Sequence, residues 1–515
     1  MSLEILNSAV QSPLLDNYNM AAIKSTLMME HVQPIYGKAR DKTIIDSLAI
    51  QNKLTQTLTL LFVALYEFHW ESFFDDLRQL IVHEAQPQVS GSVGTLFYLR
   101  MLASVNDEIA DAMVQIPTQK QKKYSDLKDL VRVRDANKIA QSWQEILSRW
   151  RQQEQNVTEL CLKTVSRWVN WTDISLFANE SMLDYVFQIA VHQEPHNNST
   201  GDSTVRDAAI DVFTEIISKK MKPNEKIELI RFLKLDSVVR QLISTPSLNS
   251  SRGTSVYDTD MAETVAKLVN VVVIDIVKVL DAALLDGNSR QQAEELLQLF
   301  IPHLLRFFSD EFDEVCSTVV PALSDLLGLI RKLSKGQNGL PSQYGDAVLP
   351  IMNAIIAKMR YDDTSAWGEE DDQTDEAEFQ DLRKRLKTLQ ETIAIVDEKL
   401  YLESVTSLVI SIFSKYKTER QELDWRDLDL ALHEMYYLGE FAVKNRRLYR
   451  KKQPSSVASE KLINMMSLML RSGKLCSISN KCRAAPDFIP RYCCFPASGG
   501  PPPIHGDMCP LLLIF

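Results

Sequence analysis

The chain has little glycine, proline, cysteine and histidine for its length. Gly (16) and Pro (19) are scarce among 515 residues, which disfavours an all-β protein rich in tight turns. Only Cys161 and Cys316 precede residue 470, a usage typical of a reducing compartment. The eight His residues are scattered and no Cys-x-x-Cys pair occurs, so we expect no metal site and no cofactor.

Long apolar runs and catalytic motifs are also missing. The most apolar stretch, residues 268–285, is interrupted by three charged residues and predicts a buried helix rather than a membrane span. Residues 1–10 lack the basic and apolar regions of a secretion signal. His433 and Glu434 are adjacent, but no second His follows, and no phosphate-binding loop or nucleophile elbow is present. We therefore predict no catalytic residues and a protein that is not an enzyme.

Amphipathic helical periodicity dominates the sequence. In residues 205–221, apolar side chains recur at the helical spacing and charges fall on the opposite face. Lys219 and Lys220 fit the dipole at the end of this helix, and the next helix is predicted over 224–235. The pattern predicts about twenty helices, paired roughly every forty residues as in HEAT repeats.

Such a pair cannot bury its apolar stripe alone, whereas stacked pairs can. We predict an all-α fold, a right-handed α-solenoid of HEAT-like antiparallel helix pairs; a large irregular helical bundle is the alternative. Residues 472–515 contain seven of the nineteen Pro and five of the seven Cys and show no helical period. They predict a disordered tail, with a small zinc or disulfide module as the alternative.

Basic residues are concentrated in two blocks although the formal net charge is -11. Residues 120–138 and 444–452 are lysine- and arginine-rich, and such blocks neutralise phosphates. Tyr449 in the second block could stack on a base. The alternative is a solvated helix end, or a nuclear-localisation-like patch for the second block. The candidate phosphate-binding residues are Lys120, Lys122, Lys123, Arg132, Arg134, Lys444, Arg446, Arg447 and Arg450.

An acidic segment interrupts the helical pattern at residues 361–380, which contain nine carboxylates and no Lys or Arg. Like charges repel, so residues 361–374 predict an extended loop between helices. The loop could bind a basic partner or repel misplaced nucleic acid; a solubilising insertion is the alternative. The acidic residues assigned to a basic partner are Asp362, Asp363, Glu369, Glu370, Asp371 and Asp372.

Three segments resemble known transport receptors. Residues 138–183 resemble the exportin-1/importin-β-like region of karyopherins, most specifically in the paired tryptophans Trp168 and Trp171 before Asp-Ile-Ser-Leu. Residues 205–230 and 361–387 resemble exportin-T, the transfer-RNA exportin, in its fungal form. Because both tryptophans lie within a helical apolar pattern, we expect them to pack in the core rather than stack on RNA.

The resemblance covers roughly residues 3–471. It implies a monomeric receptor that shuttles between nucleus and cytoplasm, carries tRNA with the GTP-bound GTPase Ran, contacts nuclear pore proteins and does not insert into a membrane. A karyopherin for protein cargo and a non-transport helical scaffold are the alternatives. Members of the family begin earlier and continue further, so we expect a chain incomplete at both ends, with Ran binding weakened by missing N-terminal repeats.

The expected domains follow from the same resemblance. Residues 1–185 form exportin-1/importin-β-like helical repeats, and residues 186–471 form further exportin-T repeats that include the acidic loop at 361–374. Residues 472–515 form a tail that is not homologous to the family.

Overall fold

The computed structural model describes thirteen segments of the chain and divides it into two compact units, residues 1–296 and 297–515. The described segments are 2–12, 15–37, 46–84, 92–110, 118–191, 200–250, 256–282, 286–337, 340–362, 373–419, 424–443, 449–450 and 453–471.

The first unit is helical throughout its described residues. Its helices are α1 (Ser2–Gln11), α2 (Asn17–Thr26), α3 (Leu48–Leu65), α4 (Phe73–Glu84), α5 (Val93–Ile109), α6 (Thr118–Arg134), α7 (Ala136–Trp150), α8 (Gln155–Val169), α9 (Glu180–Val191), α10 (Thr200–Ser218), α11 (Pro223–Phe232), α12 (Leu235–Ser244), α13 (Pro246–Asn249) and α14 (Thr259–Asp281). A π-helical segment, Leu27–Gly37, continues α2, and a 3₁₀ turn, Ile174–Leu176, follows α8.

The described residues of the second unit are also helical, apart from two short paired strands. The boundary between the units falls within α15 (Gly287–Phe308), which is followed by α16 (Asp313–Gln337), α17 (Ser342–Lys358), α18 (Gln373–Val396), α19 (Glu398–Glu419), α20 (Trp425–Val443), β1 (Tyr449–Arg450), β2 (Gln453–Pro454) and α21 (Val457–Arg471). β1 and β2 pair antiparallel, with Tyr449 opposite Pro454.

Helical periodicity explains which faces are buried, and α10 is an example. Its charged residues lie on the opposite face, where Asp211 is exposed and the others are half-buried, while the predicted apolar face is covered by α8, α9 and α14. The buried residues of the predicted face are Val205, Ala208, Ala209, Val212, Phe213, Ile216 and Ile217, and Ile210 is buried as well.

Within each unit, alternate helices pack side by side and form two layers. In the first unit one layer contains α3, α5, α8, α10 and α14, and the other contains α7, α9 and α12. In the second unit α16 packs beside α18, and α17, α19 and α21 form the facing layer. Short connections make sequential helices antiparallel. This stacking of hairpins confirms the predicted repeat fold against the irregular bundle.

The structure corrects one predicted helix. The helix predicted over 224–235 ends at Phe232, and a second helix begins at Leu235, because Lys234 between them adopts a left-handed conformation with φ 48°. α11 begins one residue earlier than predicted, at Pro223, whose fixed φ suits the first position of a helix. Trp168 is buried, as predicted. The predicted tail, residues 472–515, lies outside the described residues.

Candidate nucleic-acid interface

The first basic block forms most of α6, whose buried face fixes how the helix lies. Tyr124, Leu127 and Val131 follow helical spacing and are buried. The Tyr124 hydroxyl donates a hydrogen bond to the Glu108 carboxylate of α5. These contacts hold α6 against α5 and leave residues 120–123 of its N-terminal turns exposed.

Lys120, Lys122 and Lys123 form a cluster in those exposed turns, and we call it the lysine cluster. All three side chains are exposed, and none forms an ion pair with a carboxylate of the described residues. The cluster lies at the N-terminal end of α6, where the helix dipole is positive. The field of the three lysine charges therefore adds to the field of the dipole. An anion at this position would be favoured by both.

Arg132, at the other end of α6, contacts protein groups instead. Its guanidinium lies 5.7 Å from the centroid of the Trp171 ring, and its Nε donates to the Trp171 carbonyl oxygen. It also pairs with Asp129 one turn earlier. Arg132 therefore caps the C-terminal end of α8 by binding the Trp171 carbonyl oxygen, although about two fifths of the Arg132 side chain remains exposed.

Lys219 completes this cap from the other side. Its Nζ donates to the carbonyl oxygens of Val169, Asn170 and Thr172 at 2.7, 3.1 and 2.7 Å. Burial lowers the pKa of Lys219, and the nearby Arg132 lowers it further. The sequence assigned Lys219 to the dipole of its own helix, whereas the structure shows that it caps α8.

Arg134 is the most enclosed residue of the predicted set within α6. Its guanidinium lies 4.0 Å from the centroid of the Tyr66 ring, and Nη2 donates to the Tyr66 carbonyl oxygen at 2.8 Å. The Tyr66 hydroxyl donates to Asp135 at 2.6 Å. Burial, followed by this hydrogen bond, raises the pKa of Tyr66 above its usual value. Arg134 thus joins α6 to the turn after α3.

Other cations on this side of the first unit pair with neighbouring helices. Arg78 of α4 pairs with Glu145 of α7 at 2.6 Å. Lys138 of α7 pairs with Asp75 of α4 at 2.8 Å, and hydrogen bonding to Asp75 raises the pKa of Lys138. These ion pairs neutralise the positive charges of Arg78 and Lys138. The lysine cluster of α6 differs, because its charges have no such partners among the described residues.

Most of the second basic block lies outside the part of the chain that the structure describes. Lys444, Arg446 and Arg447 lie outside the described residues, and Arg450 is described only as a backbone position in β1. The structure therefore brings together one lysine cluster on α6 and separates Arg132 and Arg134 from it by the length of that helix.

The residues that flank the acidic segment meet in space. The Tyr361 hydroxyl donates to Glu376 of α18 at 3.0 Å, and the Gln380 amide contacts both groups at 2.9 Å. Asp362 is exposed, and its backbone carbonyl accepts a hydrogen bond from Arg426 of α20 at 2.7 Å. The remaining acidic candidates, Asp363, Glu369, Glu370, Asp371 and Asp372, lie outside the described residues.

Sequence reasoning missed a set of polar residues buried between α18 and α20. Arg383 and Asp429 form an ion pair at 2.5 Å, and both are almost fully buried. The signal was available in α20, where Asp429, His433 and Glu434 are the polar residues of the apolar run 428–435. No cluster of ligands that could hold a metal is found among the described residues. None of the described helices has both the length and the apolarity to cross a membrane.

Two family profiles match the sequence. The profile described as Exportin-T matches residues 287–481, and the profile described as Exportin 1-like protein matches residues 47–213.

Curated relatives extend these matches over most of the chain. Exportin-T of Aspergillus oryzae is 50% identical over 473 residues, which cover 92% of this chain and 46% of the relative. Exportin-T of Emericella nidulans is 50% identical over 474 residues, with the same coverage. The chain spans about half the length of these relatives. Importin 13 in its cytosolic state has a similar fold, with a TM-score of 0.57, 10% identity, and coverage of 88% of this chain and 51% of that one.

Proposed function

This chain belongs to the exportin-T family, and on that premise we propose that it is part of a nuclear export receptor for tRNA. The receptor binds tRNA together with GTP-bound Ran and carries it past nuclear pore proteins, moving as a monomer between nucleus and cytoplasm. Residues 1–185 and 186–471 are proposed as its two groups of repeats. The proposal assigns no catalytic step to the chain.

The lysine cluster is the observation that supports tRNA contact by these repeats. Its three ammonium groups are exposed, and the dipole of α6 adds to their field. The grooves of A-form RNA hide the base edges, so a receptor for many tRNAs binds backbone phosphates and shape. Phosphate contact of this kind is independent of sequence and weakens steeply with salt.

The test replaces Lys120, Lys122 and Lys123 together by Glu and measures tRNA binding, with and without GTP-bound Ran, across a salt series. Each phosphate contact contributes about 0.9 to the slope of log K against log salt for duplex nucleic acid. We expect the substitution to reduce this slope by about 2 to 3 and to weaken binding at least tenfold at low salt.

A matched control replaces Lys278, Lys384 and Lys399 by Glu. These side chains are 67%, 74% and 84% exposed and lie on α14, α18 and α19. Both variants change the net charge by the same amount, so a difference between them reports the position of the substituted lysines and not the total charge. Equal loss in both variants would exclude a local role for the lysine cluster. The remaining predicted cations, including Arg132, Arg134 and the second block, are secondary candidates in the same assay.

A karyopherin for protein cargo is the second candidate function. The observation that favours it is the acidic segment, whose flanking residues Tyr361 and Glu376 are joined at α18. A dense set of carboxylates complements a basic protein. Replacing Asp371 and Asp372 by Asn would weaken such a partner and leave tRNA affinity unchanged or higher.

A further inference from the structure

The α18 and α20 helices face each other through long polar side chains, and we call the contact between them the polar seam. Arg383 of α18 lies in this seam with 1% of its side chain exposed. It donates to the Met359 carbonyl oxygen and to Asp429 of α20, and its guanidinium stacks 4.5 Å from the centroid of the Tyr361 ring. The charge of Arg383 is therefore already matched by Asp429.

Glu434 lies in the same seam and has no such partner. Its side chain is fully buried, and it forms no ion pair within the described part of the chain. Its two carboxyl oxygens accept from the Gln390 amide nitrogen of α18 at 2.8 and 3.0 Å. An ionised carboxylate removed from water without a cation is strongly disfavoured, and such a group takes up a proton instead.

The charged groups near Glu434 do not supply it with a cation partner. Lys387 is paired with Glu440 at 2.7 Å and lies 4.3 Å from the Tyr437 ring centroid. Burial lowers the pKa of His433 to about 2, so His433 is neutral. The other charged groups that act on Glu434 or on the neighbouring His433, Tyr401 and Tyr437 are Arg383, Lys387, Glu391 and Glu440.

Gln390 supplies an independent geometric observation. Its amide oxygen is buried and accepts no hydrogen bond from the described residues. If the Gln390 amide turns by half a rotation about its terminal bond, its oxygen takes the place of its nitrogen, 2.8 and 3.0 Å from the Glu434 carboxyl oxygens, and accepts the proton of a neutral carboxyl group there. Burial raises the pKa of Glu434 to about 7, with the Gln390 hydrogen bond and Arg383 opposing the rise.

We propose that Glu434 and Gln390 form a pH-sensitive joint between α18 and α20. At mildly acidic pH the neutral Glu434 carboxyl donates to the Gln390 amide oxygen, and the seam is closed. At mildly alkaline pH the proton leaves to solvent, a carboxylate remains without a cation, and the seam opens more often. The joint is independent of tRNA binding.

The direction with pH follows from the two protonation states. The opened form exposes Glu434, whose ordinary pKa is about 4.3, while the closed form has a pKa of about 7. The closed form holds more protons between these values, so its stability is greatest at low pH and falls as pH rises toward 7, then levels off. The opening equilibrium constant should rise about tenfold between pH 6 and pH 8.

Hydrogen exchange of the full chain, resolved by peptide mass spectrometry at pH 6 and pH 8, tests the joint. After correction for intrinsic exchange, peptides from α18 and α20 should lose about tenfold in protection, whereas peptides from α5 and α14 should not. Glu434→Gln removes the titration and keeps the shape, so it should abolish the pH dependence. Glu434→Leu should do the same if the glutamine variant folds poorly.

The matched control is Glu391→Gln, an exposed carboxylate on α18, which should behave as the unsubstituted chain. Loss of the pH dependence in both Glu434 variants, with retention in the control, supports the joint. No pH dependence in the unsubstituted chain, or one that persists in Glu434→Gln, overturns it. Neither result depends on whether the chain binds tRNA.

Discussion

The seam between α8 and α10 and the seam between α18 and α20 join neighbouring repeats by different chemistry. The first buries apolar side chains such as Val165, Val212 and Ile216, and their contribution is proportional to area and insensitive to direction. The second buries Arg383 and Glu434, whose contributions depend on particular partners. Apolar packing stabilises the contact between α8 and α10 without requiring particular partners. The contact between α18 and α20 is stable only when particular side chains pair with each other.

The largest effect is expected from breaking the polar seam. Arg383→Met leaves Asp429 buried without its cation, which should reduce the free energy of unfolding by about 3 to 5 kcal/mol. Urea denaturation, followed by hydrogen exchange in α20, measures the loss. Adding Asp429→Leu should recover most of it, because the pair is then replaced by apolar groups. A double variant as unstable as the single one would contradict the ion-pair explanation.

A smaller effect is expected in the apolar seam. Ile216→Ala removes buried methyl groups from α10 and leaves a cavity, so the free energy of unfolding should fall by about 2 to 4 kcal/mol. Ile216→Val is the graded control and should lose about 1 kcal/mol. The same denaturation assay, repeated at pH 6 and pH 8, should give equal losses. A loss that changed with pH would show that this seam also depends on charge.

The smallest effect is expected for an exposed pair between repeats. Glu145→Gln removes the carboxylate that Arg78 contacts, and Glu145 is 52% exposed. Solvent screens such pairs, so the unfolding free energy should change by at most about 1 kcal/mol. The change should shrink further at high salt. Thermal unfolding at two salt concentrations measures it, and a salt-independent loss would contradict a simple surface pair.

The sequence was sufficient for the helices and for their buried faces. In α10 the apolar positions predicted from spacing are the buried ones, because one side of a helix must be covered wherever the chain stacks. The break at Lys234 was not predictable, since lysine rarely adopts positive φ and carries no local signal for it. Lys120, Lys122 and Lys123 were among the candidates for phosphate contact, and that role stays a prediction, because their exposure fits a solvated helix end equally well.

Pairing across repeats was beyond sequence reasoning. Periodicity tells which face of a helix is buried, but it does not tell which side chain lies opposite. Arg132 contacts Trp171, thirty-nine positions away, and Arg383 contacts Asp429, forty-six positions away. Both arginines belong to charged stretches that resemble solvated helix faces, so their internal partners appear only in three dimensions.

The capping of α8 has a practical consequence for dissecting the chain into shorter pieces. Arg132 arrives from a helix before α8, and Lys219 arrives from a helix after it. A fragment cut on either side of α8 loses a donor that occupies carbonyl oxygens at its end. A well-behaved fragment for spectroscopy should therefore retain residues 118–219 in one piece, so that both donors remain with α8.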